Sequence, residues 1–150
     1  MIVAKRSFDY PLINSIIKDP NIYPNIIDDY SPPSYEFNTP ESNSIYYILL
    51  TEGESLLGLI IFNPQSTILY EFHLCLLPIA KGKGKICIKE AIVWIWLNTF
   101  AIRITISIPI TNKVALKVIK QVGLKEYGIN EKSFMKGGIL RDQVLFGVSK

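Results

Sequence analysis

The chain is 150 residues long, 49% hydrophobic and only 19% charged, a composition that suits one folded domain, residues 1–150, and excludes a disordered chain. Its net charge of +3 is too small to imply nucleic acid, and one histidine with two separated cysteines, Cys75 and Cys87, makes no metal-ligand set. No apolar run reaches the ~18 residues of a membrane helix, and the first ten residues lack the apolar stretch of a signal peptide; the expectation is a cytoplasmic protein with reduced, buried thiols.

Residues 2–7 read as a short first strand. Asp9 is placed to cap a helix that starts near Pro11 and carries the apolar stripe Leu12, Ile13, Ile16 and Ile17, until Asp19-Pro20 stops it. Residues 21–29 are a shorter helical candidate with Pro24 near its start. The stretch 28–44 is a loop, with Pro32, Pro33 and Pro40 among serines and asparagines. It carries Tyr30, Tyr35 and Phe37, which either line a substrate site or pin the loop to the core. Residues 45–51 and 56–62 are apolar and β-branched on either side of Glu52-Gly53-Glu54-Ser55, the pattern of a hairpin. After a turn at 63–66 comes the central strand, 67–77.

That strand runs through Pro78 into Lys81-Gly82-Lys83-Gly84-Lys85 and then a helix at 86–97. A strand feeding a helix through glycines leaves backbone N–H groups converging at the helix start, where an anion binds. The spacing is not that of a Walker P-loop, and Cys87 stands where G-x-G-x-x-G needs its third glycine. The helix is apolar nearly all round, so burial on most faces is expected. Trp94 and Trp96 are core fillers or, alternatively, a partner surface. Residues 103–108 alternate as a strand, and Thr111 and Asn112 supply caps for a helix at 113–122. Its inner stripe is Ala115, Val118, Ile119 and Val122, its wet face Lys113, Lys117 and Lys120, and Gly123 ends it. From Leu124 two strands meet at Gly137-Gly138. The order β-α-α-β-β-β-α-β-α-β-β is an α+β fold, a mostly antiparallel mixed sheet of about seven strands flanked by about four helices.

The element order and the loop in its middle resemble the GNAT acyltransferase superfamily over essentially the whole chain. The family pattern at the acyl-CoA site, R/Q-x-x-G-x-G/A after a strand ending V-x-P, corresponds here to Leu76-Leu77-Pro78 and Lys81-Gly82-Lys83-Gly84-Lys85-Ile86. Gly84 matches, Lys81 replaces Arg or Gln, and Ile86 replaces the last small residue, which would narrow the space above a pyrophosphate. The second landmark, N-x-x-A-x-x-(aromatic)-Tyr-x-x-x-G-F, corresponds to Asn112, Ala115, Val118, Ile119, Gly123 and Leu124. Isoleucine stands where the family places the tyrosine that protonates the CoA thiolate. Tyr70-Glu71-Phe72-His73, the Pro78 loop, Trp94 and Asn112 are together similar to small GNAT-like proteins of tailed bacteriophages.

The resemblance implies acetyl-CoA as co-substrate, held by Leu76, Leu77, Lys81, Gly82, Lys83, Gly84, Lys85, Ile86 and Asn112. It implies N-acetyl transfer to a small-molecule or protein amine by direct attack in a ternary complex, with a backbone N–H near Leu76 polarising the thioester. By the two-residue period of a strand, Glu71, His73 and Cys75 share one face of 67–77. Glu71 and His73 are the candidate base, or else a hydrogen-bonded structural pair. The alternative to an enzyme is a weakly active or inactive GNAT-fold virion or head-assembly module. Its partners would be phage virion proteins and its location the host cytoplasm or the virion. A homodimer fits either reading; nucleic acid, membrane and metal fit neither.

Overall fold

The computed structural model describes residues 1–150. Seven strands form one sheet: β1 (Ile2–Arg6), β2 (Tyr46–Glu52), β3 (Ser55–Pro64), β4 (Leu69–Leu76), β5 (Arg103–Pro109), β6 (Lys125–Lys136) and β7 (Ile139–Ser149). Their order is β1-β2-β3-β4-β5-β7-β6. Only β4 and β5 run parallel, joined by the crossover that contains helix α3 (Gly84–Asn98). The other helices are α1 (Tyr10–Ile17), α2 (Tyr23–Ile26) and α4 (Lys113–Val122). The expected element order is the observed one.

The local signals act as physical chemistry requires. The Asp9 carboxylate accepts the Leu12 N–H at 3.1 Å at the start of α1, and the Asn112 side chain accepts the Ala115 N–H at 3.2 Å at the start of α4. Gly123, at φ 97°, takes the left-handed conformation that ends α4. Strand β3 runs on through Pro64, two residues into the expected turn at 63–66. The β3–β4 register turns the Pro64 nitrogen towards β2, which has already ended opposite Phe62, so the missing donor costs no ladder bond. Of the helical candidate 21–29, only the single turn of α2 forms, because Ile27 is extended.

Two cores lie on opposite faces of the sheet. Ile13, Ile16 and Ile17 of α1 pack with Tyr47, Leu59 and Cys75. On the other face Ile88, Ala91 and Ile95 of α3 and Ile119 of α4 pack on Ile48, Phe62, Phe72 and Ile104. The expected burial of α3 on most faces is corrected: Ile86, Val93 and Leu97 are exposed, because α3 lies in an outer layer, with the sheet on one side and no further layer on the other. Trp94 and Trp96 are half-buried against the core rather than within it.

Candidate active site

Strands β4 and β5 pair at only three positions, Leu69 with Arg103, Tyr70 with Ile104 and Glu71 with Thr105. Beyond Glu71 they part: β4 stays on β3, and 106–109 of β5 pair with β7. A wedge opens between two parallel strands in the middle of the sheet. The Leu77 N–H donates to the Leu57 carbonyl at 2.9 Å and the Gln65 N–H to the Leu69 carbonyl at 2.8 Å. Odd-numbered residues of β4 therefore face β3. Alternation turns the Leu74 and Leu76 amides into the wedge. Gly58 holds this geometry from behind: at φ 142°, its absent Cβ would lie 2.5 Å from the Cys75 carbonyl oxygen and 2.8 Å from the Leu76 Cα. Only glycine lets β3 come that close to the end of β4.

Three cavities that share walls follow one another along the wedge. The first, about 530 Å³, lies between the start of α3 and α4, with Leu76 and Leu77 as floor. Cys87 makes the first intrahelical bond of α3, to the Lys83 carbonyl. The Gly84, Lys85 and Ile86 amides thus lack helical acceptors and are free for an anion. Lys81 and Lys85 border the cleft, and Lys117 of α4 faces them across it. Gly82, at φ 83°, makes the turn between. Leu76 and Val118 also wall a second cavity of about 270 Å³, which reaches Leu74, Asn112 and Ala115. These three in turn wall a third, of about 170 Å³, with Glu71, His73, Ser107, Phe134 and Gln143.

In the third cavity His73 Nε2 lies 3.5 Å from Glu71 Oε1, with the two side chains 47% and 34% exposed. The surrounding cleft desolvates the imidazole and pushes its pKa below the ordinary value, against the opposing pull of Glu71. At neutral pH the ring is uncharged and able to accept a proton. Cys75, two residues on, is fully buried; its thiol is pushed up to about 12 by desolvation and is chemically inert.

The structure places the other sequence-derived candidates differently. Lys83 turns from the cleft to pair with Glu52 in the β2–β3 turn. The Ile86 side chain is half-exposed and lines none of these cavities, so it does not narrow the space above the loop; its amide is what it contributes. Asn112 spends its oxygen on the α4 cap and serves as the wall between the second and third cavities. Tyr30 and Tyr35 are about four-fifths exposed, at 79% and 80%, and border none of the three. Phe37 packs on Tyr23 at 5.7 Å. Ile119 is fully buried in the α3–α4 core and lines none of the three cavities. Lys117, Ser107, Phe134 and Gln143 escaped the sequence reading. Of these only Lys117 carried a signal, as a lysine on the wet face of α4.

The β6–β7 hairpin that supplies Phe134 and Gln143 is tied across the site. The Asp29 carboxylate accepts the Gly137 and Gly138 amides at 2.9 and 2.7 Å, which hold its pKa below the usual carboxylate range. The Lys136 ammonium donates to the Pro24 and Ile27 carbonyls at 2.7 and 2.8 Å. Asp29→Ala is expected to free the hairpin and speed hydrogen exchange at the Gly137 and Gly138 amides by about threefold to tenfold, the scale of one or two lost hydrogen bonds. Amide exchange checks it; unchanged protection would show that the Lys136 contacts hold the hairpin without Asp29.

The seven-stranded mixed sheet, split in its centre beside a glycine-lysine loop, has the fold of GNAT acetyltransferases. One similar structure is the spermidine N-acetyltransferase of Vibrio cholerae in complex with CoA and spermine, 15% identical over 99% of this chain and 95% of that one, at a TM-score of 0.77. Another, from Desulfovibrio desulfuricans and described as an acetyltransferase of the GNAT family, is 10% identical over 99% of both chains, at 0.69. No protein-family model matches the chain, and no curated protein sequence matches it.

Proposed function

We propose that the protein is an acetyl-CoA-dependent N-acetyltransferase acting on a small-molecule amine by direct attack in a ternary complex. The observation that carries this reading is the row of neighbouring cavities, each sharing walls with the next, that runs from a lysine-bordered helix N-terminus, past the inward Leu74 and Leu76 amides, to His73. The similar Vibrio protein, by its description, binds CoA and spermine, which supports an amine as acceptor.

When bound, the CoA thioester supplies an activated acetyl group. The free amides of Gly84, Lys85 and Ile86 and the ammonium groups of Lys81, Lys85 and Lys117 suit its phosphates. The Leu76 N–H, turned into the wedge, would hydrogen-bond the thioester oxygen and stabilise charge developing there. His73 takes the proton from the attacking nitrogen as the C–N bond forms and the C–S bond breaks. The sulfur leaves with the electron pair, and solvent protonates it, since Ile119 offers no donor. Calorimetric titration with acetyl-CoA, followed by an assay over a panel of amines, tests this. Saturable binding and acetylated product are expected; no binding would overturn the reading.

Ile119 favours the second reading, a GNAT-fold bacteriophage virion or head-assembly module with little or no activity. Ile119→Tyr sets a hydroxyl on the helix position where the GNAT pattern has one. Because Ile119 is buried between α3 and α4 and lines none of the three cavities, the phenol does not reach the site, and in an enzyme whose thiolate is protonated by solvent this variant is expected to leave kcat unchanged. A melting curve must show that the buried phenol is tolerated, because enlarging a packed core costs about 1–3 kcal/mol. No turnover in either form, with the protein found in assembled particles, would favour the module.

A further inference from the structure

A fourth cavity of about 200 Å³ adjoins the His73 site and is used by none of the steps above. It lies on the same sheet face as His73, under the loop 37–45 and the start of β2 and beside α1. Its walls include Ile17, Phe37, Ile45, Ile61 and Cys75, and it shares two walls, His73 and Ile26, with the third cavity. The adjacency follows from register: Ile61 is the cross-strand partner of His73, and Cys75 is two residues further along the same face.

From this we infer that the acceptor is a primary amine carrying one compact hydrophobic body of about phenyl size, seated in this cavity, with its nitrogen at His73 and Glu71. The inference rests on the N-acetyltransferase reading and names its substrate class. Size supports it: an apolar cavity of ~150 Å³ is enough to hold benzene. Charge supports it too. Glu71 is the one carboxylate on the walls of the second, third and fourth cavities, so the site matches one ammonium group. An extended polyamine would leave its further charges facing isoleucines and a phenylalanine, at the cost of desolvating them unpaired. A phenyl ring there displaces poorly held water from apolar walls, which is favourable.

The test uses the full chain with acetyl-CoA and five probes: phenethylamine, benzylamine, the naphthyl-bearing 2-(1-naphthyl)ethylamine, putrescine and spermidine. The aryl amines are expected to show kcat/KM at least about tenfold above the two polyamines, the discrimination an apolar pocket supplies. Ile61→Phe, which fills the cavity, is expected to cancel that advantage by raising the KM for phenethylamine. Ile61→Ala, which enlarges it, is expected to lower the KM for a naphthyl-bearing amine relative to phenethylamine. A preference for spermidine or putrescine, or aryl kinetics indifferent to both Ile61 variants, would overturn the inference while leaving an acetyltransferase. If no amine is acetylated, the N-acetyltransferase reading falls. Ligand-observed NMR of phenethylamine then decides the cavity: binding lost in Ile61→Phe upholds it as an aryl-amine site, and no binding to the wild-type chain overturns it.

Discussion

His73→Ala is expected to lower acetyl transfer by about 10²-fold or more, the scale of a positioned general base, with acetyl-CoA affinity almost unmoved. The separation follows from position. His73 lies in the third cavity, while the loop and lysines that suit a CoA phosphate line the first. The pH profile gives a sharper criterion. Cleft burial lowers the His73 pKa, so kcat for the wild type should rise with pH through a midpoint below the ordinary histidine value of about 6.5 and level off above it. Glu71 is the one group that pulls the other way. Glu71→Gln should therefore move the limb to still lower pH while turnover falls, because the anion that draws the proton onto the ring is gone. A limb that stays in place in both variants would assign the proton to water or another group. A merely structural Glu71–His73 pair would show its loss in melting temperature and not in the limb.

Gly84→Val is expected to weaken CoA binding by at least about tenfold, by filling the first cleft at its floor. A Cβ at position 84 would stand 2.9 Å from Val118 Cγ2 and 3.7 Å from Leu76 Cδ1, so the branched side chain has space only on the cleft side. Two causes are then mixed, the obstructed anion site and the strained contact between α3 and α4. Val118→Ala separates them, since it removes the crowded methyls and lets the helices close. The double variant should melt near the wild-type temperature and still bind CoA poorly. Recovery of binding together with stability would show that Gly84 serves helix packing alone. Wild-type affinity in Gly84→Val would remove the loop from the CoA site.

Much of the fold was legible because its signals are local. Asp9, Asn112 and Gly123 act within one turn of their own helices. The hairpin turn at Gly53 and the one at Gly137-Gly138 set their strands by positive φ. The alternation that puts His73 and Cys75 on one face and Phe72 on the other needs only the strand period. Lys81, Gly84 and Lys85 were readable because a strand, a loop and a helix start are consecutive in the chain.

What the chain order could not express is how far the two parallel strands stay paired. The wedge depends on β5 keeping to β7 along its whole length, Arg103–Pro109, and β4 keeping to β3, so that the two diverge from each other after Glu71 and Thr105; each strand follows a partner that is not its parallel neighbour. Lys83 looked equivalent to Lys81 and Lys85, yet Glu52, 31 residues earlier, lies within its reach and takes it from the cleft. Lys117, Phe134 and Gln143 reach the site from α4 and the last hairpin only by packing. The loop aromatics show the same limit: composition made Tyr30, Tyr35 and Phe37 equal candidates. Only the tertiary structure leaves the two tyrosines in solvent and sets Phe37 against Tyr23 beside the cavity behind His73. Local backbone preference is written residue by residue, whereas a site is an agreement among segments whose contacts are decided by shape and burial.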